Sequence, residues 1–323
     1  MKNISILWKR RLFLMLLILT AIYSRAQGYN FTQMTNPDPN NNSLKAIWAS
    51  DASHIFAGGG AGTILKFDGL AWNLMATPVT QMIQSLWGTS ASNIWACGGG
   101  GLLLHYDGNA WAKITVPSVN IFYKIFGFSA TNIYACGANG TFYHYNGISW
   151  TAIASGYSGI DFYSMYGSGS SDLYIVGNEN TGAYTGKILH YDGSAFTPEK
   201  DITDASLLDI WSAEYINYYV SGGNAIYSYD KNSNDFSTVF NEGDNTCIYG
   251  LNANLIMTGS INSHISLYNG IWQDINNTYS IIYGICAPGN STANVYLVGG
   301  GGLILHVDMT SGINESAEAN THF

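Results

Sequence analysis

Charge is scarce in this chain. Of 323 residues only 10% are charged, and the acids outnumber the bases 21 to 12. Arginine is scarcer still: Arg10, Arg11 and Arg25 are the whole supply. Beyond residue 26 the chain holds seven lysines against all 21 acids, a formal balance of −14. That sign makes nucleic acid and anionic lipid poor candidates as partners. It also leaves no guanidinium for bidentate grip on a carboxylate or phosphate. Long apolar runs are missing too, apart from residues 12–23. That run is short of the roughly 20 residues that a membrane-spanning helix needs. No cysteine follows it, which excludes lipoprotein processing.

The run instead has the layout of a secretory signal. Lys9, Arg10 and Arg11 precede it, and Ser24-Arg25-Ala26 offers a small-x-small cleavage site. Residues 1–26 are therefore expected to be removed on export, with an uncleaved signal anchor as the alternative. The mature protein is expected to be secreted or at the cell surface, or else periplasmic, with no membrane insertion after cleavage. A monomer is expected.

What is abundant is glycine (37 residues), tyrosine (23) and tryptophan (9), the mark of tightly turned β structure. They recur in order. The stretch SLWGTSASNIWACGGGGLLLHYDGNAW, residues 85–111, has near-copies along the chain. An aromatic register runs Trp48, Trp87, Phe126, Tyr166, Trp211, Tyr249 and Tyr283, at intervals of 39, 39, 40, 45, 38 and 34. A second register follows Tyr-Asp-Gly, through Asp68, Asp107, Asn146, Asp192, Asp230, Asn269 and Asp308. Both count seven repeats. A period near 40 with several short strands per repeat predicts a β-propeller.

Each repeat reads as four antiparallel strands, A to D, so the fold class is all-β, a seven-bladed propeller spanning residues 27–311. Strand D carries an aromatic in six repeats: Trp72, Trp111, Trp150, Phe196, Phe236 and Trp272. The seventh repeat lacks one. Residues 28–32, Gly-Tyr-Asn-Phe-Thr, match the spacing of 147–151, Gly-Ile-Ser-Trp-Thr. The N-terminal strand is thus expected to complete the last blade and close the ring, which removes two open sheet edges.

Leu86-Trp-Gly-Thr-Ser-Ala-Ser-Asn-Ile-Trp-Ala-Cys-Gly98 and His105-Tyr-Asp-Gly-Asn-Ala-Trp111 resemble the repeats of a bacterial class of secreted propellers. That class looks related to the Asp-box and photosystem II assembly factor-like propellers. The resemblance covers residues 28–308 and is specific for fold, not activity. The fourth repeat departs from it with a longer loop at 177–186, and the fifth reads Tyr229-Asp230-Lys231.

Several residue groups invite a chemical reading. Cys97 and Cys136 share one repeat position, held elsewhere by Gly58, Val176, Ser221, Thr258 and Val298. This is a small buried site, and equivalent positions on adjacent blades lie too far apart to bridge. The four cysteines are expected to be free. His105, His144, His190 and His306 also share a position, on strand C, too far from the axis to converge on one metal ion. The glycine runs at 58–60, 98–101 and 299–302 lie between strands and lack a following Gly-Lys-Ser/Thr, so they are hairpins and not phosphate loops. No metal or cofactor is called for.

By the Asp-box resemblance, a sialidase would need an arginine cluster, which is absent. A glycoside hydrolase-like reading needs two facing carboxyls, and Asp161 and Asp209 near the axis are the candidates. The preferred reading is a non-enzymatic binding or adhesion module for a glycan or protein, recognised on the axial face. Its candidate ligand-binding residues are Gln84, Tyr123, Lys124, Tyr157, Asp161, Tyr163, Asp209 and Tyr279, all on or entering strand A. A role as an assembly factor for a membrane complex rests on fold analogy alone. Residues 312–323 form a polar tail. It resembles the segment that precedes a type IX secretion sorting domain in Bacteroidetes-type proteins, which would make Phe323 a truncation point. A short tail is the alternative.

Overall fold

The structure is a computed structural model that describes residues 28–180, 185–241, 244–278 and 280–310. Residues 1–26, expected from sequence to be a signal peptide, and the tail 312–323 lie outside the described residues. Within them the polypeptide forms seven four-stranded antiparallel sheets. Blades one to six follow sequence order from strand A (Leu44–Asp51 in blade one) to strand D (Trp72–Met75). Blade seven takes strands A to C from Ile282–Cys286, Val295–Gly299 and Ile304–Asp308. Its strand D is Asn30–Gln33, from the other end of the sequence.

The closure keeps the repeat register. In blades one to three Trp72, Trp111 and Trp150 lie opposite Phe67, Tyr106 and Tyr145 of strand C. In blade seven Phe31 lies opposite Val307 at the same position. Phe31 and Tyr29 pack against the core between blades six and seven.

The Tyr-Asp-Gly motif has a mechanical explanation. Asp107 Oδ1 accepts the backbone N–H groups of Asn109 and Ala110, at 2.9 and 3.0 Å. Asp68, Asn146, Asp192 and Asp230 repeat this in their own turns. Gly108 has φ +97°, a conformation that side-chain-bearing residues avoid. Tyr106 donates its hydroxyl to the Gly108 carbonyl at 2.8 Å, and its ring lies 5.2 Å from that of Trp111. The Asp is a turn-former, with its acceptor oxygen held by backbone.

The repeated histidines are structural as well. His105 Nε2 donates to Asn93 Oδ1 at 2.7 Å, and His144 Nε2 to Asn132 Oδ1 at 2.9 Å. Each packs against the aromatic of strand B beside it: the rings of Trp95, Tyr134, Tyr174 and Tyr296 lie 4.3 to 4.9 Å from those of His105, His144, His190 and His306. The residue thus ties strand C to the A–B turn of its own blade.

Two register readings need correction. The strand-A aromatic position pairs with the aromatic of strand B, as Trp87 with Trp95. In blade seven the residue opposite Tyr296 is Cys286, so Cys286 takes that position and Tyr283 does not. The small strand-B site of blade six is Gly259, opposite Cys247, and not Thr258. In blade four, strand B runs to Glu179 and strand C begins at Thr185, so half of the expected loop 177–186 is strand extension.

Adjacent blades are held by an aromatic laid over a small residue. A Cβ built on Gly127 would fall 2.8 Å from Trp87 Cη2, and one on Gly88 would fall 3.0 Å from Trp48 Cη2. The residue after each strand-A aromatic is small throughout: Ala49, Gly88, Gly127, Gly167, Ser212, Gly250 and, after Cys286, Ala287. At these two junctions, and where Trp211 meets Gly250, the ring of one blade sits directly on the backbone of the next.

Candidate functional site

Every strand A carries the same irregularity near its start. Between its first two pairings with strand B, or in blade four between the third and fourth, the register slips by one residue, a β-bulge. The seven extra residues are Lys45, Gln84, Tyr123, Tyr163, Leu208, Thr246 and Tyr283. All seven are part-exposed, and all line one axial channel of about 1420 Å³. A bulge re-aims side chains, and here it presents one residue per blade at one level. Below this level the strand-A aromatics also line the channel, from Trp48 round to Tyr249. The lining ends on the A–B turns of blades five to seven, where Glu214 and Tyr215 are exposed.

Four of the predicted residues meet here as a connected group. The Tyr123 and Tyr163 rings stack at 4.7 Å and 25°. Burial, with neighbouring Tyr163 and Asp161, pushes the Tyr123 hydroxyl up to about 12, so it stays a neutral hydrogen-bonding group. Lys124 Nζ donates to Asp209 Oδ1 at 2.9 Å. Ser164 Oγ donates to the same oxygen at 2.6 Å, and the Ile248 N–H donates to Oδ2 at 3.2 Å. Desolvation works against the Lys124 ammonium, but Asp209 outweighs it and holds its pKa above the ordinary value. Gln84 completes the predicted set in the channel.

Three predicted residues lie elsewhere. Tyr157 packs beside Phe162 and Phe196 in blade four and lines a separate groove of about 490 Å³ with residues 139–143. Asp161 does not line the channel; its Oδ1 accepts the Asn139 N–H at 2.9 Å. Tyr279 falls outside the described residues. The carboxyls of Asp161 and Asp209 thus do not face each other across the channel. Among the described residues no group of three or more His, Cys, Asp or Glu is placed to hold a metal ion, and no helix is long and apolar enough to cross a membrane.

Lys45 and Tyr283 were missed from sequence. Lys45 Nζ lies 3.1 Å from the centroid of the Tyr283 ring. Burial lowers its pKa to about 8. The only sequence signal is positional: both occupy the place that Gln84, Tyr123 and Tyr163 hold in their own repeats.

No family model matches this protein, and no curated protein matches it either. Solved structures do. The chain superposes on YCF48 bound to D1 peptide with a TM-score of 0.69 at 16% identity, covering 86% of this chain and 96% of that one. The WD40 β-propeller domain of Doa1 gives 0.69 at 12%, covering 87% and 97%. The extracellular domain of the one-component system BT4673 from B. thetaiotaomicron gives 0.68 at 12%, covering 85% of this chain but 40% of that one. At such identities the likeness speaks for the fold alone.

Proposed function

We propose that this protein is a non-enzymatic binding propeller whose ligand is a protein segment inserted in the axial channel. The observation that carries the reading is the bulge ring. It brings three tyrosines, a lysine and a glutamine to one level of a channel of about 1420 Å³. Tyrosine with scattered polar groups is the composition of recognition surfaces. A glycan would need free aromatic faces to stack on. Here Tyr123 and Tyr163 cover one another on one side, and Lys45 covers Tyr283. The glycoside hydrolase-like alternative is disfavoured, since Asp209 is neutralised by Lys124 and Asp161 is directed to a backbone amide. The complex of YCF48 with D1 peptide offers a precedent on the same fold.

Export belongs to the same proposal. The signal-like segment 1–26 would deliver the propeller outside the cytoplasm, to the surface or the periplasm, and the polar tail leaves type IX display open. The test is a peptide array probed with the wild type and with the Tyr123→Ala/Tyr163→Ala variant. Sequence-selective capture that the variant loses is expected. Selective binding to a glycan array with none to peptides, or turnover of chromogenic glycosides, would overturn the reading.

A further inference from the structure

The bulge ring is not uniform. Of its seven residues only Lys45 is charged. The other channel lysine, Lys124, is already paired with Asp209. Among the described residues no carboxylate is paired with Lys45; its one close partner is the face of Tyr283. The next bulge residue round the ring is Gln84, whose Nε2 has, among the described residues, only the Met82 sulfur, at 3.5 Å. A thioether is a weak acceptor, so this amide is open to a better one. Channel acids stand apart: Asp209 is held by three donors, and Glu214 is exposed on the A–B turn at the far end of strand A.

We propose that Lys45 and Gln84 form a carboxylate-binding subsite of the channel, with Tyr283 as the floor beneath the ammonium. The inference rests on the protein-ligand reading, and it adds which group of the ligand is anchored. A half-buried ammonium without a counter-ion is incompletely solvated, and a carboxylate supplies both charge and acceptor oxygens. Tyr283 keeps the cation in place by its ring quadrupole, so the ammonium is positioned before the ligand arrives. One cation and one amide match a singly charged acid. A phosphate group carries more charge and is best met by several cations or a guanidinium fork, neither of which is present. The lowered pKa of Lys45 fits a site that is short of negative charge when empty. The carboxylate is supplied either by the free C-terminus of a peptide or by an Asp or Glu side group.

The experiment reads Lys45 directly. The full protein is treated with limiting acetic anhydride at pH 8, and acylation of Lys45 is followed by mass spectrometry. Three N-acetylated probes are compared at millimolar concentration: Ala-Ala-Ala with a free C-terminus, the same peptide amidated, and amidated Ala-Glu-Ala. Protection by the first probe alone assigns a C-terminal carboxylate, and protection by the acidic peptide alone assigns a side group. Protection by both assigns any carboxylate. Equal protection by the neutral amide, or none by any probe, overturns the inference. Lys45→Gln should weaken capture of acidic array peptides by about tenfold, the scale of one charge-assisted contact. Unchanged array capture by Lys45→Gln would remove the subsite and leave the protein-binding reading standing. Protection of Lys45 by the acids without any array capture would keep the anion site and remove that reading instead.

Discussion

Lys124 Nζ lies 2.9 Å from Asp209 Oδ1, although the two strands that carry them belong to blades three and five. Blade four stands between, and its Ser164 donates to the same oxygen. The contact spans the channel wall across three blades and ties together strands that share no sheet. Both groups are largely withdrawn from water, with side-chain exposures of 29% and 14%. Removing one partner therefore strands the other. Lys124→Met or Asp209→Leu should each cost about 2 kcal/mol, below the fully buried case because Lys124 keeps some solvent. The double variant should recover part of that loss. Denaturant unfolding of the four proteins as a cycle checks it; additive losses would show that the pair is not coupled.

The aromatic-on-glycine contact predicts a second outcome. At Gly127 an added Cβ meets Trp87 at 2.8 Å and the Asn132 carbonyl at 3.0 Å, so the backbone cannot yield without disturbing the strand pair. Gly127→Ala should destabilise by roughly 1 to 3 kcal/mol through overpacking. Gly156→Ala would be a poor control because its φ is +81°. Gly159→Ala is a better one, with nothing within 4 Å of the added methyl. Equal melting temperatures for the Gly127 and Gly159 variants would refute the contact.

Much of the fold was legible because the constraint acts on residue type. A turn that needs an acceptor and a positive φ selects Asp-Gly, and an aromatic that lies on backbone selects a small neighbour. Those choices repeat, so they can be counted. Phe31 was readable as the missing strand-D aromatic for that reason. The aromatic register failed only in blade seven, where Cys286 replaces the ring and Tyr283, three residues earlier, offers itself as a substitute. The site was much less legible. A bulge is a backbone event, and the residues it aims at the axis are of five different types, with no pattern to count. Gln84, Tyr123, Lys124, Tyr163 and Asp209 were found through their place near strand A. The same criterion drew in Tyr157 and Asp161, since proximity to strand A in sequence does not say which side of the blade a loop residue takes.

Ring closure predicts an asymmetry between the two ends. Deleting residues up to 35 removes Asn30–Gln33 from the last blade and uncovers the strand Ile304–Asp308. It also removes Phe31 and Met34 from the cores they join. Deleting 312–323 touches no described strand. The first truncation should lower the melting temperature by on the order of 10 °C, the second by little. Similar melting temperatures for the two would refute closure by this strand.

Stability should fall with acid in two stages. Burial lowers the pKa of His105, with Asp107 acting against it, and burial lowers that of His144. The unfolded polypeptide then binds protons first, so stability is full above the free-histidine value of about 6.5 and declines as pH falls through it. The second stage belongs to the turn carboxylates. Backbone N–H groups hold Asp68 and Asp107 below the ordinary value, and Asp192, held by Ala195 and Ser194, lies at about 2. Their contribution is present above the unfolded value of about 4 and is lost as pH falls towards the folded one. Melting temperature followed from pH 8 to pH 3 should show both slopes. His105→Gln/His144→Gln should flatten the first and leave the second; an unchanged first slope would mean that other groups cause it.

The cysteines give the last prediction. All four are buried and free. Cys97 Sγ donates to the Phe122 carbonyl at 3.7 Å and Cys136 Sγ to the Phe162 carbonyl at 3.5 Å, so each thiol touches strand A of the next blade. Burial pushes Cys136 and Cys247 up to about 12, and Cys97 and Cys286 upward too. The thiolate is the reactive form, and here it is suppressed twice, by access and by protonation. Cys97 and Cys136 occupy equivalent positions on blades two and three, opposite Ser85 and Lys124. Each fills a small site where other blades have Gly58, Val176 or Gly259. Iodoacetamide at pH 8 should leave the native protein unmodified for hours and label all four residues once denaturant unfolds it. Cys97→Ser should leave oligomeric state and peptide capture unchanged. Rapid labelling of one native cysteine, or a Cys97–Cys136 crosslink under non-reducing mass spectrometry, would show that the blade interface opens or that the two strands lie closer than the register allows.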